Sequence, residues 1–208
     1  MMETFLPWSP PRGTSPFFNI FMGLPDIVLR AYHGSMSTIA FIGFRGSGKS
    51  TLGRWLSEEL DVPFIDTDCE VLAFLGYSSV EDAWSVVGEE GWREAEMHLI
   101  PELLERDIVV SLGGGAPMIP LVAKAIATCE VVFNLTASEG VTSLRIAAGG
   151  DRPALCFNDK EMRLNRLPTY AMLGTYGIDT SGDIDGCKER ILDFIANGHP
   201  ILPGGYVF

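Results

Sequence analysis

The stretch Gly43-Phe44-Arg45-Gly46-Ser47-Gly48-Lys49-Ser50 decides the fold of this 208-residue chain. It follows the short apolar run 38–42, which ends in glycine as a buried parallel strand does. After it, Leu52, Leu56 and Leu60 recur at helical spacing. The stretch fits the pattern G-x-x-x-x-G-K-[ST] between a strand and a helix, and it therefore predicts a loop that binds the phosphates of a nucleotide.

Each part of this phosphate loop has a chemical role. Its glycines let backbone N–H groups turn toward phosphate oxygens, and the following helix adds its N-terminal dipole. We expect Lys49 to reach the β- and γ-phosphates and Ser50 to offer its hydroxyl to Mg²⁺. The residues expected to contact ATP are Gly43, Gly46, Ser47, Gly48, Lys49, Ser50 and Thr51.

Composition limits the class of protein. The net charge of −12 argues against non-specific binding to nucleic acid or to an anionic membrane, because both need a basic surface. No run of roughly 18 apolar residues predicts a membrane helix. The four cysteines lack metal-ligand spacing and are expected to be reduced thiols of a cytoplasmic protein.

Two segments differ in character. Residues 1–35 carry several prolines, and we interpret them as a loose extension, with Met36 a possible true start. Residues 36–208 are expected to form one domain.

Strands are predicted at 62–65, 108–112, 131–135 and 176–179, and helices at 80–87, 92–104 and 187–195, with a kink or stop at Pro101. Together with 38–42 this alternation predicts an α/β fold whose five-stranded parallel sheet is covered on both faces.

Acidic residues follow the second predicted strand. Asp66 and Asp68 lie one residue apart at a strand end, where open α/β sheets bind ligands. One carboxylate could hold the water shell of a metal while the other orients or deprotonates an acceptor hydroxyl. The alternative is a helix N-cap followed by a solvated aspartate.

Arg93 also has two interpretations. It could pair with a helical neighbour such as Glu89 or Glu96, or its guanidinium could bind a substrate carboxylate in bidentate fashion. The glycines 113–115, at a third strand end, expose backbone N–H groups and allow a ligand to approach closely. A plain turn is the alternative, but it would explain one or two glycines more easily than three.

Taken in order, these motifs resemble the shikimate kinase family. The motifs are G-x-x-G-x-G-K-S-T, D-T-D, G-E-x-x-W-R-x-x-E, G-G-G, R-P-x-L and R-x-P-x-Y, and together they cover roughly residues 39–194. The resemblance implies a three-layer fold like that of the nucleoside monophosphate kinases, with a mobile lid at about 145–160 and a substrate-binding helical region. It also implies ATP and shikimate as substrates and Mg²⁺ as cofactor.

The resemblance assigns a role to each motif residue. Asp66 is similar to the residue that holds Mg²⁺ with Ser50, and Asp68 to the one that binds and activates the shikimate hydroxyl. The remaining assignments are Arg93, Arg166 and the N–H of Gly114 for the shikimate carboxylate, Arg145 for adenine, Arg152 as the lid arginine over the transferred phosphoryl group, and Trp84 and Trp92 as walls of the acceptor pocket. Lys49, Asp68 and Arg152 form the implied catalytic set.

Two other functions are open from the sequence. A related small-molecule kinase, such as a gluconate kinase, would share the phosphate loop but have no use for Asp68, Arg93 and Arg166 as a set. A regulatory module that binds shikimate without catalysis would not need Lys49 or Arg152. We expect the chain to be a monomer.

Overall fold

The computed structural model describes residues 38–148 and 159–197. Its elements are β1 (Ile39–Gly43), α1 (Lys49–Leu60), β2 (Phe64–Asp66), α2 (Thr67–Leu75), α3 (Val80–Leu103), β3 (Val109–Ser111), a 3₁₀ turn (Ala116–Met118), α4 (Pro120–Ile126), β4 (Val131–Thr136), α5 (Glu139–Ala148), α6 (Asp159–Leu173), β5 (Tyr176–Asp179) and α7 (Ile184–Asn197). The predicted extension 1–35 and the part of the predicted lid that holds Arg152 lie outside the described residues. Within the two described ranges, no helix combines the length and apolarity that crossing a membrane requires.

The five strands form one parallel sheet in the order β2-β3-β1-β4-β5. In its register, Ser111 of β3 lies opposite both Phe41 of β1 and Asp66 of β2. Because parallel strands all end at the same edge, the loop after β1 and the acidic end of β2 meet there. The predicted five-stranded parallel sheet is confirmed.

Both faces of the sheet are covered, which makes three layers. Along β1, Ala40 and Ile42 join a core cluster with residues of α3, α4 and α6, whereas Ile39 and Phe41 join a second cluster with α1 and α7. Successive strand residues point to opposite faces, so a strand buried on both sides is apolar throughout. Because helices cover both faces, every residue of β1 is buried. The strands are therefore easy to recognise in the sequence as apolar runs.

A third, smaller cluster lies where α2 and α3 pack together beside the sheet. It contains Val71, Ala83, Trp92 and Ala95, all buried. Ser79 begins α3 as its N-cap, since its hydroxyl accepts from the N–H of Asp82 at 3.1 Å. This cluster forms the helical region that borders the site.

One expectation about α3 was wrong. The helix does not stop at Pro101 but continues to Leu103, and its non-helical residue is Gly88, with φ 66° and ψ −171°. Glycine adopts this conformation without a side-chain clash, whereas a proline near a helix end removes only one hydrogen bond. Helices α2, α4, α5 and α6 were not predicted, because their apolar residues do not follow a clear helical period.

Candidate active site

The phosphate loop lies between the end of β1 and the start of α1. Gly46 has a φ of 77°, and a Cβ there would lie 2.9 Å from the carbonyl oxygen of Thr142 in α5. A side chain at this position would therefore be strained and would also collide with the neighbouring helix. The close approach brings the loop against α5, and the wall of the cavity at this point is backbone.

Lys49 and Ser47 have different places in the loop. Lys49 is 9% exposed, and its Nζ donates to the carbonyl oxygen of Phe44 at 3.0 Å. Ser47 is fully buried, and its N–H donates to the same carbonyl at 3.1 Å. Lys49 lines the cavity, whereas Ser47 and Gly43 are not among the residues that line it. The N–H of Ser47 is thus bonded within the phosphate loop itself.

Ser50, Asp66 and Ser111 bring three oxygen groups together at the sheet edge. The Ser50 hydroxyl donates to Oδ2 of Asp66 at 2.6 Å, and its oxygen lies 3.2 Å from the Ser111 hydroxyl. In the described ranges, no three His, Cys, Asp or Glu side chains cluster as a metal site. One carboxylate with hydroxyls is nevertheless a donor set that fits Mg²⁺, because this ion keeps several waters and takes further oxygens from nucleotide phosphates.

Asp66 makes the N-cap that was one interpretation of its position, and its second oxygen points to the phosphate loop. Its Oδ1 accepts from the N–H of Asp68 at 3.1 Å, which makes it the N-cap of α2. Its other oxygen, Oδ2, faces Ser50 of the phosphate loop. The cap holds the carboxylate in a fixed orientation, so the structural role supports the role predicted toward the metal.

Arg145 lies at the nucleotide end of the cavity. Its Nη2 donates to the carbonyl oxygen of Thr180 at 2.7 Å, and its Nη1 donates to the Thr180 hydroxyl at 3.1 Å. The Thr180 hydroxyl in turn donates to the carbonyl oxygen of Ser47 at 2.9 Å. Sequence reasoning missed Thr180, although its place directly after β5 puts it at the same sheet edge as the loop. These bonds tie the predicted adenine residue to the phosphate loop.

The three glycines 113–115 each make room for a different charged side chain. A Cβ on Gly113 would collide with Oδ1 of Asp68, and one on Gly115 would collide with the guanidinium of Arg93. A Cβ on Gly114 would lie 3.3 Å from Nη1 of Arg166. Three helices therefore place a charged side chain at this short glycine segment: Asp68 from α2, Arg93 from α3 and Arg166 from α6.

Arg93 makes the helical ion pairs that were one of its two interpretations. Its Nη1 donates to Glu96 at 2.6 Å and its Nη2 donates to Glu89 at 3.1 Å. The Glu89 side chain is 65% exposed and that of Glu96 is 1% exposed. Arg93 also lines the cavity, so its ion pairs are compatible with the second interpretation, in which it binds a substrate carboxylate.

Glu96 is the charged residue of the site that sequence reasoning undervalued. Burial raises the pKa of its carboxyl, Arg93 opposes this, and the charge of Asp68 adds to the rise. Its signal in the sequence was its spacing of three residues from Arg93, which places both on one face of α3. Thr67 was also missed: its hydroxyl accepts from the N–H of Gly113 at 2.9 Å and fixes the glycine segment against α2.

One cavity of about 570 Å³ extends from the phosphate loop to the glycine segment 113–115. The residues lining it include Gly46, Gly48, Lys49, Ser50, Thr51, Asp66, Asp68, Trp84, Trp92, Arg93, Gly114, Arg145 and Arg166. All the predicted site residues in the described part of the chain except Gly43 and Ser47 therefore face a shared space. The acidic strand end lies beside both, where a phosphoryl group would pass from donor to acceptor.

Comparisons with known proteins agree with this geometry. The family model described as shikimate kinase matches residues 45–196. The chain is 36% identical over 148 residues to a shikimate kinase of Mycobacterium leprae, covering 67% of this chain and 72% of that protein. It is 35% identical over 153 residues to a shikimate kinase of Thioalkalivibrio sulfidiphilus, covering 71% and 80% of the two chains.

Solved structures give the same result. The shikimate kinase from Acinetobacter baumannii in complex with shikimate superposes with a TM-score of 0.72 at 25% identity, covering 80% of this chain and 97% of that one. The shikimate kinase from Aquifex aeolicus gives 0.66 at 25% identity, covering 77% and 96%. The predicted three-layer kinase fold is confirmed, and the chain belongs to the shikimate kinase family.

Proposed function

We propose that this chain transfers the γ-phosphoryl group of ATP to the 3-hydroxyl of shikimate and releases shikimate 3-phosphate and ADP. As a member of the shikimate kinase family it is an ATP-dependent transferase. The observation that carries the proposal is the cavity that joins the phosphate loop to Asp68, Arg93 and Arg166 around three glycines. A phosphate loop alone predicts a nucleotide; the two arginines and the aspartate predict an acceptor with a carboxylate and hydroxyls.

The nucleotide phosphates lie on the loop of residues 43–50 in this proposal. Lys49 lines the cavity and exchanges its bond to the Phe44 carbonyl for the β- and γ-phosphates. Arg145, already fixed by Thr180, provides a flat cationic surface on which adenine stacks. The positive charges compensate the charge that builds up on the phosphoryl oxygens as the bond breaks.

Mg²⁺ would be held by the Ser50 hydroxyl and, through water, by Asp66. When bound, the ion neutralises phosphate charge and orients the γ-phosphoryl group. Ser111 lies within hydrogen-bonding distance of Ser50 and keeps its hydroxyl oriented. Oδ1 of Asp66 is held by the N–H of Asp68, so Oδ2, which accepts from Ser50, stays directed to this site.

Shikimate is proposed to bind between the glycine segment and α3. Its carboxylate accepts hydrogen bonds from Arg93, Arg166 and the N–H of Gly114, while Trp84 and Trp92 form the apolar wall. Asp68 accepts a hydrogen bond from the 3-hydroxyl and removes its proton as the oxygen attacks phosphorus. Arg93 keeps Glu96 as a partner throughout, because that carboxylate lies on the buried side.

The lid is proposed to close over this arrangement. Arg152 belongs to the segment 145–160, and its predicted role is to stabilise the transferred phosphoryl group and exclude water. Residues 149–158 lie outside the described part of the chain, so the support for this role is the match of Asp151-Arg152-Pro153-Ala154-Leu155 to the family motif. We also propose that residues 36–208 act as one domain, as a monomer in the cytoplasm.

The decisive experiment is a coupled assay of ADP release across shikimate, quinate and gluconate. We expect Mg²⁺-dependent turnover with shikimate and at least tenfold lower kcat/KM with the other two, because neither presents its carboxylate and hydroxyls in the arrangement of the unsaturated shikimate ring (about 1.4 kcal/mol per factor of ten). Turnover of gluconate without turnover of shikimate would contradict the proposal. Shikimate binding by calorimetry without ADP release would instead identify a binding module.

A further inference from the structure

The Tyr170 hydroxyl connects two parts of the acceptor site. Tyr170 lies on α6, is 2% exposed and is among the largest fully buried side chains. Its O–H donates to the carbonyl oxygen of Gly114 at 2.5 Å, across 56 residues of sequence. Gly114 is the central residue of the glycine segment, so this bond fixes the backbone of that segment to α6.

The same hydroxyl also contacts Arg166, four residues earlier on α6. The Arg166 guanidinium lies beside this hydroxyl, and its interaction with the hydroxyl lowers the Tyr170 pKa. Its Nη1 and the Tyr170 hydroxyl lie 3.3 Å and 3.7 Å from the place that a Cβ on Gly114 would take. A tyrosine hydroxyl has one proton to donate and lone pairs that accept, so it can donate to Gly114 and accept from Arg166 at the same time. The result is a chain from the Arg166 guanidinium through Tyr170 to the Gly114 carbonyl.

Two further observations indicate what the series Arg166–Tyr170–Gly114 does. Pro168 lies inside α6 and has no N–H to donate to the carbonyl of Leu164, so the turn that carries Arg166 lacks one helical hydrogen bond. Burial raises the pKa of the Tyr170 hydroxyl, although Arg166, Arg93 and Arg163 oppose the rise. The hydroxyl thus stays protonated and remains a donor over the working pH range.

We propose that Tyr170 is a positioning residue for the acceptor carboxylate, holding the Arg166 guanidinium and the Gly114 backbone in register for one anion. The inference rests on the proposed function, in which both groups bind the shikimate carboxylate. Tyr170 is not among the residues that line the cavity, so in this proposal it acts on the acceptor through Gly114 and Arg166. Loss of the Tyr170 hydroxyl should weaken acceptor binding and leave ATP binding unaffected.

Tyr170→Phe tests the proposal, with Tyr176→Phe on β5 as a matched control that removes the same atom from a tyrosine packed against Phe133 and Phe194. We expect the KM for shikimate to rise about tenfold in Tyr170→Phe, as the loss of one oriented charged contact predicts. The KM for ATP and kcat should stay within about twofold, and Tyr176→Phe should change none of the three. A lower melting temperature with an unchanged KM for shikimate would show a purely structural role and overturn the proposal.

A double-mutant cycle tests whether Tyr170 acts through Arg166. In an Arg166→Ala background, Tyr170→Phe should raise the KM for shikimate by less than about twofold more, because the cation to be oriented is already gone. Fully additive effects would overturn the proposal. If Tyr170→Phe does not fold, 3-fluorotyrosine at position 170 keeps the shape and alters both hydrogen bonds, and an unchanged KM for shikimate in that protein would overturn the proposal as well.

The outcomes also separate this proposal from the proposed function. A wild-type chain that does not phosphorylate shikimate would contradict both. A wild-type chain that does so, with an unchanged KM for shikimate in Tyr170→Phe, would contradict the positioning role alone.

Discussion

Nη1 of Arg93 lies 2.6 Å from Oε2 of Glu96, and the Glu96 side chain is 1% exposed. Glu89 holds the other nitrogen of the same guanidinium at 3.1 Å but is 65% exposed. One arginine thus has a buried and an exposed acidic partner, three residues after and four residues before it. Replacing either glutamate with glutamine is the same chemical change beside the same arginine. The two variants therefore compare a buried partner with an exposed one.

Glu96→Gln should raise the KM for shikimate about tenfold or more, because the buried partner fixes the direction of the Arg93 guanidinium. Glu89→Gln is the matched control and should change it less than about threefold, since an exposed pair contributes roughly 0–1 kcal/mol. Steady-state kinetics with shikimate varied at saturating ATP measures both. Equal effects of the two substitutions would contradict the importance of the buried pair.

Glu96 should also make stability depend on pH. Burial raises the pKa of this carboxyl above its ordinary value of 4.5, so the unfolded chain loses this proton at lower pH than the folded chain. Between these two pKa values the folded state binds more protons, and the free energy of unfolding contributed by Glu96 falls as pH rises. Below 4.5 this contribution is fully present.

Urea unfolding of wild type and Glu96→Gln from about pH 4 to about pH 8 measures this contribution. The wild-type free energy of unfolding minus that of Glu96→Gln should fall through the window above 4.5 and then level off. Because Gln does not titrate, the subtraction removes all other ionisable groups that the two proteins share. A difference that increases with pH would contradict the direction of the pKa shift.

Gly115→Ala should damage the acceptor site more than the fold. Gly115 has φ −90° and ψ −22°, which alanine adopts readily, but its Cβ would collide with the guanidinium of Arg93. The end of a flexible side chain can move aside, so we expect a KM for shikimate about tenfold higher and a stability loss of about 1 kcal/mol. Gly177→Ala is the control, because a Cβ there meets no atom within 4 Å. Identical shikimate KM values in Gly115→Ala and wild type would contradict the assigned place of Arg93.

Lys49→Met should lower kcat by about 10²–10³-fold, because the ammonium group stabilises charge on the transferred phosphoryl group. The fold should survive, since the side chain makes its bond to the Phe44 carbonyl in its own loop. Lys188→Met, on α7 with Nζ 3.0 Å from Asp185, is the control and should keep wild-type kcat. Circular dichroism confirms folding, and undiminished turnover by folded Lys49→Met would refute the role of the lysine.

Cys129 should resist alkylation until the chain unfolds. Burial raises the pKa of its thiol to about 11, so the reactive thiolate is only about 0.1% of the total near pH 8. Cys69, on α2, is exposed and should react with iodoacetamide in the native protein. Peptide mass spectrometry with and without urea follows each thiol separately. Native-state labelling of Cys129 as fast as that of Cys69 would contradict its burial.

The sequence by itself determined the local features of this protein. The phosphate loop, the apolar strands and the order of the later motifs all depend on residues close together in the chain, and each was recognisable there. The sheet was predictable because strands buried on both faces are apolar throughout. Asp66, Asp68 and Arg93 were predicted as site residues from their types and positions, and Arg166 from the family motif in which it lies.

Only the tertiary structure decided how these groups share partners. It brought Ser111 of β3 next to Ser50, and it placed the Tyr170 hydroxyl on the Gly114 carbonyl, contacts that span 61 and 56 residues. It also showed that the three glycines accommodate three side chains from three helices. Such contacts depend on how helices pack against the sheet edge, which local patterns in the sequence do not specify. The phosphate loop could therefore be recognised from the sequence, whereas the hydrogen-bonded support of the acceptor site required the folded chain.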